Sequence, residues 1–523
     1  MKKILALALA LIMVLGLATT VSAKDADLTN HTYRVYQIFT GTQTNVEGDA
    51  KLAVTGWGTD VDGAAILAAL QANSAFGAAD ANVFKDCKTA RDVAEVLAAN
   101  SANDDTPFAR AFAKVVNQNL AENAGQDLTD QLELDPGYYL VVDTTEFSEG
   151  EEDTVWNLSL LQLTKKGALE INTKVDVPEV EKKVIDVNDS VANNAEEVRQ
   201  DSADYDIGDD VPFILTATLA SDVSSYDVYK VVFHDTLADG LDYNEDAVVK
   251  FGDKVLYNKN GDANVALGGI TVAEENGALT ITIPDVKHAD IGAGNSAVIT
   301  VEYTAKLTED AKIGAEGNKN LVKLEYSNNP SWVAKPDGET PPPPPPTGFT
   351  PEDQVIVFTY EVVANKVDEA GEALNGATFA LYKYDADADV EKEEDKWILV
   401  GDGPITGTSS HEFTWAGVDD GTYKLVEVEA PAGYNKIDDI VFEIKAEHTE
   451  EAAAPELTKL EGGTLFTGDI TSGKLTADIE NKPGVVLPET GGMGTTLFYV
   501  IGGLLVAAAV VLLVTKKRMA SAE

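Results

Sequence analysis

The chain has 523 residues, of which 88 are acidic and 39 basic, for a net charge of -49. Because so negative a surface repels phosphate backbones, a nucleic-acid partner is excluded and a solvated extracellular or surface location is favoured. The single cysteine, Cys87, excludes an internal disulfide framework and a cysteine-based zinc cluster, and the five histidines show no H-x-x-x-H spacing. We therefore expect no cofactor and no metal. At roughly 100–200 residues per domain, the length predicts three or four domains.

The N-terminus carries an export signal. Lys2 and Lys3 precede an apolar stretch from Ile4 to Ala18, and small residues end the segment at Ala23. This order is typical of a secretory signal peptide, and we expect cleavage after Ala23. A retained membrane anchor is the weaker alternative, since the stretch is short for a bilayer.

The C-terminus combines three features. An apolar stretch from Leu497 to Val514 is followed by Lys516, Lys517 and Arg518, which predicts a transmembrane segment with a cytoplasmic tail. Directly upstream lies the motif Leu487, Pro488, Glu489, Thr490, Gly491. The arrangement resembles the LPxTG cell-wall sorting signal of Gram-positive surface proteins. The resemblance implies that a sortase cuts between Thr490 and Gly491 and that the mature protein is secreted to the cell wall.

The region between these signals is predicted to be mainly β. Short alternating runs rich in Val, Ile, Thr, Tyr and Phe recur between turns, which is typical of tandem β-sandwich domains. Ala-rich segments near the N-terminus, 64–79, 90–102 and 108–122, predict helices in the first domain. The expected segments are a signal peptide (1–23), an N-terminal domain (24–175), a second domain (176–335), a proline-rich linker (336–352), a third domain (353–486) and the sorting signal (487–523).

Strand alternation places three polar residues on the core side of the third domain. Lys366 follows apolar residues in phase, and so do Glu427 and Asn481 on two other strands. Desolvation favours a neutral lysine and a protonated acid, the states in which an amine attacks an asparagine carboxamide with loss of ammonia. A buried Lys–Glu ion pair, or a lysine head that reaches solvent at the strand end, is the alternative.

The second domain repeats this pattern. Lys182, Asp235 and Asn328 each fall in phase with core residues of their strands. Lys183 and Asn329 replace Lys182 and Asn328 if either strand is out of register by one residue. No comparable triad occurs in the first domain.

Local motifs link both patterns to known domains. The segment from Tyr423 to Tyr434, with Glu427 three residues before Ala430-Pro431, resembles the E-box of prealbumin-like, collagen-adhesin B-type domains of Gram-positive pilins and adhesins. The segments around Lys182, Asp235 and Asn328 resemble the fimbrial isopeptide-forming second domain of pilin shaft subunits. The resemblance implies immunoglobulin-like sandwiches in an elongated array. It also implies spontaneous Lys366–Asn481 and Lys182–Asn328 bonds, promoted by Glu427 and Asp235.

One lysine is expected on an outer face. Lys174 alternates with Ile171, Thr173 and Val175, so it faces solvent. Sortase-built shafts carry an acceptor lysine at this junction, usually in a Tyr-Pro-Lys motif, whereas Asn172-Thr173 precede Lys174 here. An ordinary solubilising surface lysine is the alternative.

The whole pattern resembles the major subunit of a sortase-assembled Gram-positive pilus. The resemblance implies a structural protein whose only chemistry is autocatalytic, with Thr490 of one subunit joined to Lys174 of the next. Its implied partners are the sortase, identical subunits, minor tip and basal pilins, and peptidoglycan directly or through a basal pilin. The alternatives are a monomeric wall-anchored adhesin that binds a host or partner ligand, and a secreted enzyme, for which no catalytic motif is found.

Overall fold

The computed structural model describes residues 23–46, 49–101, 106–129, 131–148, 150–169, 175–191, 198–259, 269–332, 345–390, 392–484 and 505–506. The fold is mainly β, with the α-helices of known bounds all in the N-terminal domain, and this confirms the predicted fold class. The signal peptide, Lys174, the LPxTG motif and nearly all of the predicted membrane segment lie outside the described residues. No helix formed by the described residues is long and apolar enough to cross a membrane.

The N-terminal domain is one sheet covered by helices. Its strands are β1 (Lys24–Asp25), β2 (Tyr33–Val46), β3 (Asp49–Trp57), β4 (Gln126–Asp127), β5 (Gly137–Asp143) and β6 (Leu158–Leu163), and its helices are α1 (Gly63–Ala72), α2 (Ala90–Asn100) and α3 (Pro107–Asn117). The sheet has the order β3-β2-β5-β6, with β4 on β2. Buried Phe39, Ile66, Val93 and Phe112 join the sheet to the helices.

The predicted helices start where capping residues allow. Asp62 accepts hydrogen bonds from the amides of Ala64 and Ala65, and Thr89 forms a capping box with Asp92. Thr106 caps α3, in which Pro107 occupies a first-turn position that needs no amide donor. All three helices end before the predicted limits, α1 by seven residues, α2 by two and α3 by five.

The second domain is a sandwich of two sheets. Its strands are β7 (Asp176–Val177), β8 (Glu179–Asp186), β9 (Val198–Gln200), β10 (Ser202–Asp204), β11 (Asp210–Thr218), β12 (Val231–Leu237), β13 (Leu241–Tyr243), β14 (Val248–Phe251), β15 (Lys254–Asn258), β16 (Thr271–Glu275), β17 (Ala278–Ile283), β18 (Val298–Leu307), β19 (Asn318–Ser327), β20 (Thr347–Phe349) and β21 (Asp353–Phe358). One sheet has the order β10-β21-β19-β12-β17-β16, with β20 on β19. The other has the order β15-β14-β18-β11-β8-β9, with β13 on β18. The short strand β7 lies in neither sheet and pairs antiparallel with β1, which is likewise outside the main sheet of the N-terminal domain.

The boundary between the second and third domains differs from the sequence-based one. We expected a linker over 336–352 and a third domain from 353, but β20 pairs with β19, and β21 lies between β10 and β19 in the second domain. The physical reason is that both faces of β21 are apolar. Val355 and Val357 are buried in the core of the second domain, and Ile356 and Phe358 in that of the third, so the strand is shared.

The third domain is a second sandwich. Its strands are β22 (Tyr360–Asp368), β23 (Thr378–Tyr384), β24 (Trp397–Leu399), β25 (Ile405–Thr406), β26 (Glu412–Val418), β27 (Gly421–Glu429), β28 (Ile440–His448), β29 (Leu457–Glu461), β30 (Thr467–Asp469) and β31 (Lys474–Asn481). The two sheets have the orders β26-β22-β31-β30 and β24-β23-β27-β28-β29, with β25 on β23. The first and last strands, β22 and β31, are neighbours and run parallel.

Candidate functional site

The third domain brings its three predicted polar residues into one core. Lys366 comes from β22, Asn481 from the adjacent β31, and Glu427 from β27 in the opposite sheet. All three side chains are fully buried. Strand alternation explains this placement, because buried and exposed residues alternate along β31 up to Asn481.

Hydrogen bonds hold the acid and the amide together. Asn481 Nδ2 donates to Glu427 Oε1 at 2.8 Å, and Ile437 N donates to Glu427 Oε2 at 2.9 Å. Asn481 Oδ1 is buried and accepts no hydrogen bond from any described residue. The lysine head lies along the same strand pair, because Lys366 Nζ donates to the backbone carbonyl of Ile479, its register partner.

Burial changes the acid–base behaviour of this lysine. Desolvation lowers the pKa of Lys366 to about 8, although the negative charge of Glu427 opposes the change. At neutral pH a much larger fraction of Lys366 is therefore in the neutral, nucleophilic form than for a lysine in water.

The second domain places Lys182 and Asp235 together, as predicted. Lys182 Nζ, from β8, donates to Asp235 Oδ2, from β12 in the opposite sheet, and both residues are buried. Two residues absent from the sequence-based prediction complete the cluster. Lys182 Nζ also donates to Asn320 Oδ1 at 2.6 Å, and the hydroxyl of Tyr303 lies 3.1 Å from Nζ.

Tyr303 ties this cluster together. Its hydroxyl donates to Asp235 Oδ2 at 3.1 Å and accepts from Asn320 Nδ2 at 2.7 Å. The lysine, the acid and the amide are thus fixed around one phenol. Asp235 Oδ1 is buried without a hydrogen bond to any described residue, which leaves room for a proton on the acid.

Burial shifts the pKa values of both Lys182 and Asp235. Desolvation lowers the pKa of Lys182 to about 8 against the opposing charge of Asp235. Desolvation also raises the pKa of Asp235, despite the attraction of Lys182. Both shifts favour transfer of a proton from the ammonium to the carboxylate, which leaves two neutral groups in the core.

The prediction that Asn328 partners Lys182 is wrong. In β19, Asn320 is opposite Leu237 and Tyr326 is opposite Val231, so Asn328 lies beyond the far end of the strand pair. Eight residues of strand separate the two asparagines by roughly 26 Å. Asn328 Nδ2 instead donates to Thr154 Oγ1 at 3.0 Å.

Neither fallback residue enters the cluster. Lys183 faces the other side of β8 and forms ion pairs with Asp201 at 2.8 Å and Glu451 at 2.7 Å. Asn329 Oδ1 accepts from the amide of Ser331 at 2.9 Å.

A sequence signal for Asn320 did exist. Asn328 directly follows β19 and has the same parity as Asn320, so alternation alone admits both. Tyr303 carries no local signal, since an inward tyrosine on an alternating strand has the pattern of an ordinary core residue.

The chain also matches two family models. Residues 360–456 match the model described as a SpaA prealbumin-like fold domain, and residues 479–521 match that of the LPXTG cell wall anchor motif. These matches and the β-sandwich fold define a Gram-positive, cell-wall-anchored surface protein with a prealbumin-like domain.

A more particular similarity is to the trypsin-resistant surface T6 protein of Streptococcus pyogenes serotype M6. That relative is 28% identical over 236 residues, which cover 42% of this chain and 40% of the relative. The matched part is therefore less than half of that curated protein.

Solved structures of pilins are also similar. The T6 backbone pilin of serotype M6 Streptococcus pyogenes is 17% identical, with a TM-score of 0.48 over 87% of this chain and 96% of that one. The full-length major pilin SpaD of Corynebacterium diphtheriae is 16% identical, with a TM-score of 0.43 over 90% and 93%.

We expect the Tyr303 hydroxyl, at the centre of the second-domain cluster, to contribute more to the free energy of unfolding than an ordinary tyrosine hydroxyl does. Tyr303→Phe leaves the Lys182, Asp235 and Asn320 groups short of a partner, so we expect a loss of about 1–3 kcal/mol in the free energy of unfolding. Tyr243→Phe is the matched control, because among the described residues only the Ala247 amide donates to its hydroxyl, at 3.0 Å, and the change should cost about 0.5–1.5 kcal/mol. Denaturant unfolding measures both, and an equal or smaller loss for Tyr303→Phe would contradict the assigned role.

Proposed function

We propose that the protein is the major, shaft-forming subunit of a sortase-assembled pilus. The observation that carries the proposal is the pair of sandwich cores, each holding a buried lysine beside a carboxyl and an asparagine, in a chain with a cell-wall anchor motif. The similarity to a surface T6 protein agrees with it. In the assembled fibre, the sortase would join the carbonyl of Thr490 in one subunit to the amine of Lys174 in the next.

Each cluster would form an intramolecular isopeptide bond. In the second domain, Lys182 passes a proton to Asp235, and the neutral amine attacks Cγ of Asn320. The C–N bond to the asparagine amide nitrogen then breaks as that nitrogen takes the proton held by Asp235, and the lysine nitrogen returns its second proton to the Asp235 carboxylate, so that ammonia and a neutral amide remain. One ammonia leaves for each new amide, so no oxidant or cofactor is needed.

The same chemistry in the third domain would join Lys366 to Asn481, with Glu427 as proton carrier. The Asn481 amide nitrogen faces Glu427, whereas its oxygen lacks a partner among the described residues. A half-turn of the amide would point its oxygen at the acid, which would then polarise the carbonyl during attack.

The positions of these bonds suit a fibre under tension. The Lys366–Asn481 bond would connect β22 to β31, the first and last strands of the third domain. The Lys182–Asn320 bond would connect β8 to β19 across the two sheets of the second domain. Tensile force applied to the two chain ends would then be transmitted through the two isopeptide bonds. The residues between each lysine and its asparagine would carry little of that force.

The isopeptide proposal predicts the intact mass of the purified full chain. Two condensations remove two ammonia molecules, about 17 Da each. Asn320→Ala, Asp235→Ala, Asn481→Ala and Glu427→Ala should each abolish one loss, because each removes an acyl donor or a proton carrier. Asn328→Ala is the matched control and should keep both losses. A native chain of full mass would contradict the proposal.

The polymer proposal predicts covalent multimers on the cell surface. Boiling in SDS should leave a ladder of high-mass species, which Lys174→Ala should abolish because the acceptor amine is lost. Lys165→Ala, at an exposed lysine nearby, is the control and should retain the ladder. Monomers alone from the native strain would contradict the shaft role and support a monomeric adhesin. A ladder in the Lys174→Ala strain would contradict only the choice of acceptor.

A further inference from the structure

Three potential metal-ligating side chains meet where the second and third domains touch. Asp186 and Asp204 are the last residues of β8 and β10, and His448 is the last residue of β28. One ligand atom from each side chain lies within 4.8 Å of those from the other two. The cluster thus joins two carboxylates of the second domain to an imidazole of the third.

The hydrogen bonds of His448 fix which ring nitrogen is free. Ser202 Oγ donates its only proton to the carbonyl of Thr449 at 2.7 Å, so it must accept a proton from His448 Nδ1, which lies 2.7 Å away. In the neutral ring, Nε2 then carries a lone pair, and that atom faces Asp186 Oδ2 at 3.9 Å. A histidine whose other nitrogen is held in this way has the arrangement found at metal ligands.

The carboxylates of Asp186 and Asp204 are also placed so that they could bind a cation. Asp204 is 2% exposed, and its Oδ2 accepts no hydrogen bond of normal geometry from any described residue, although the Tyr360 hydroxyl lies close enough to act on the carboxyl. Asp186 is oriented by Gln200 Nε2, which donates to Oδ2 at 3.0 Å, and by the amide of Asp204, which donates to Oδ1 at 3.3 Å. Its side chain is 29% exposed, which provides access from solvent.

The surroundings add negative charge. Asp420 lies close enough to repel Asp204, and Glu450 does the same to Asp186. Lys383, which attracts Asp204, is held by a separate group of carboxylates, those of Asp189, Asp206 and Asp419, at 2.6 to 2.9 Å. A bound cation would compensate this buried excess of carboxylates.

We propose that Asp186, Asp204 and His448 bind one divalent transition-metal ion of the Zn²⁺ class, which clamps the second domain to the third. An imidazole with two carboxylates suits Zn²⁺ better than Ca²⁺ or Mg²⁺, which prefer oxygen ligands alone. The sequence-based expectation of no metal considered histidine pairs and cysteine clusters. This site needs neither, because its ligands lie on three strands far apart in the chain.

Calorimetric titration of the chelator-treated full chain with ZnCl₂ tests the site. We expect one equivalent to bind and to raise the melting temperature, since an ion that binds only the folded state stabilises it. His448→Gln and Asp204→Asn should each abolish this binding. Ser202→Ala, which releases the ring, should weaken it by roughly 10–100-fold. Excess CaCl₂ should not displace the bound Zn²⁺.

His288→Gln is the matched control. His288 lies on the surface beside Asp290, 3.4 Å away and 46% exposed, and its loss should leave Zn²⁺ binding unchanged. Circular dichroism of each variant checks that the fold is retained. The proposal is overturned if the native chain binds no Zn²⁺, if both His448→Gln and Asp204→Asn bind it as the native chain does, or if CaCl₂ competes equally.

Discussion

The burial of a lysine amine in each sandwich core constrains the rest of the structure. Lys182 and Lys366 are fully buried, and an unpaired ammonium there would cost several kcal/mol. Each core therefore supplies a carboxyl from the opposing sheet, Asp235 or Glu427, together with an asparagine amide. Because the carboxyl comes from the other layer, each cluster forms only when both sheets have packed. A covalent bond formed there would report that the domain is correctly folded.

The two domains are also tied to each other. The strand β21 buries Val355 and Val357 in one core and Ile356 and Phe358 in the other, so the sandwiches share a structural element. This strand follows Asn320 in the chain and lies outside the loop that a Lys182–Asn320 bond would close. Ion pairs also cross the joint, among them those of Lys383 in the third domain with Asp189 and Asp206 in the second. The joint therefore depends on packing and charge, whereas the proposed isopeptide bonds would lie within the two cores.

Strand alternation placed all six predicted polar residues at buried positions, and five of them lie in the two clusters, because a period of two is a local property of each strand. It could not choose between Asn320 and Asn328, which share a parity, since the choice depends on where β12 pairs along β19. The boundary before β21 was missed for a related reason: both faces of that strand are apolar, so alternation does not tell which core it serves. The cluster around His448 has no local signature, because its ligands meet only when the two domains do.

The identity of the crosslinked residues is the most direct test of this account. Trypsin digestion of the denatured full chain, followed by tandem mass spectrometry, can identify these residues. Trypsin cleaves after Lys323, so Asn320 and Asn328 fall in different peptides. We expect branched peptides that join Lys182 to Asn320 and Lys366 to Asn481, each lacking one ammonia. Linear, unmodified peptides containing all four residues, or a branch from Lys182 to Asn328, would contradict it.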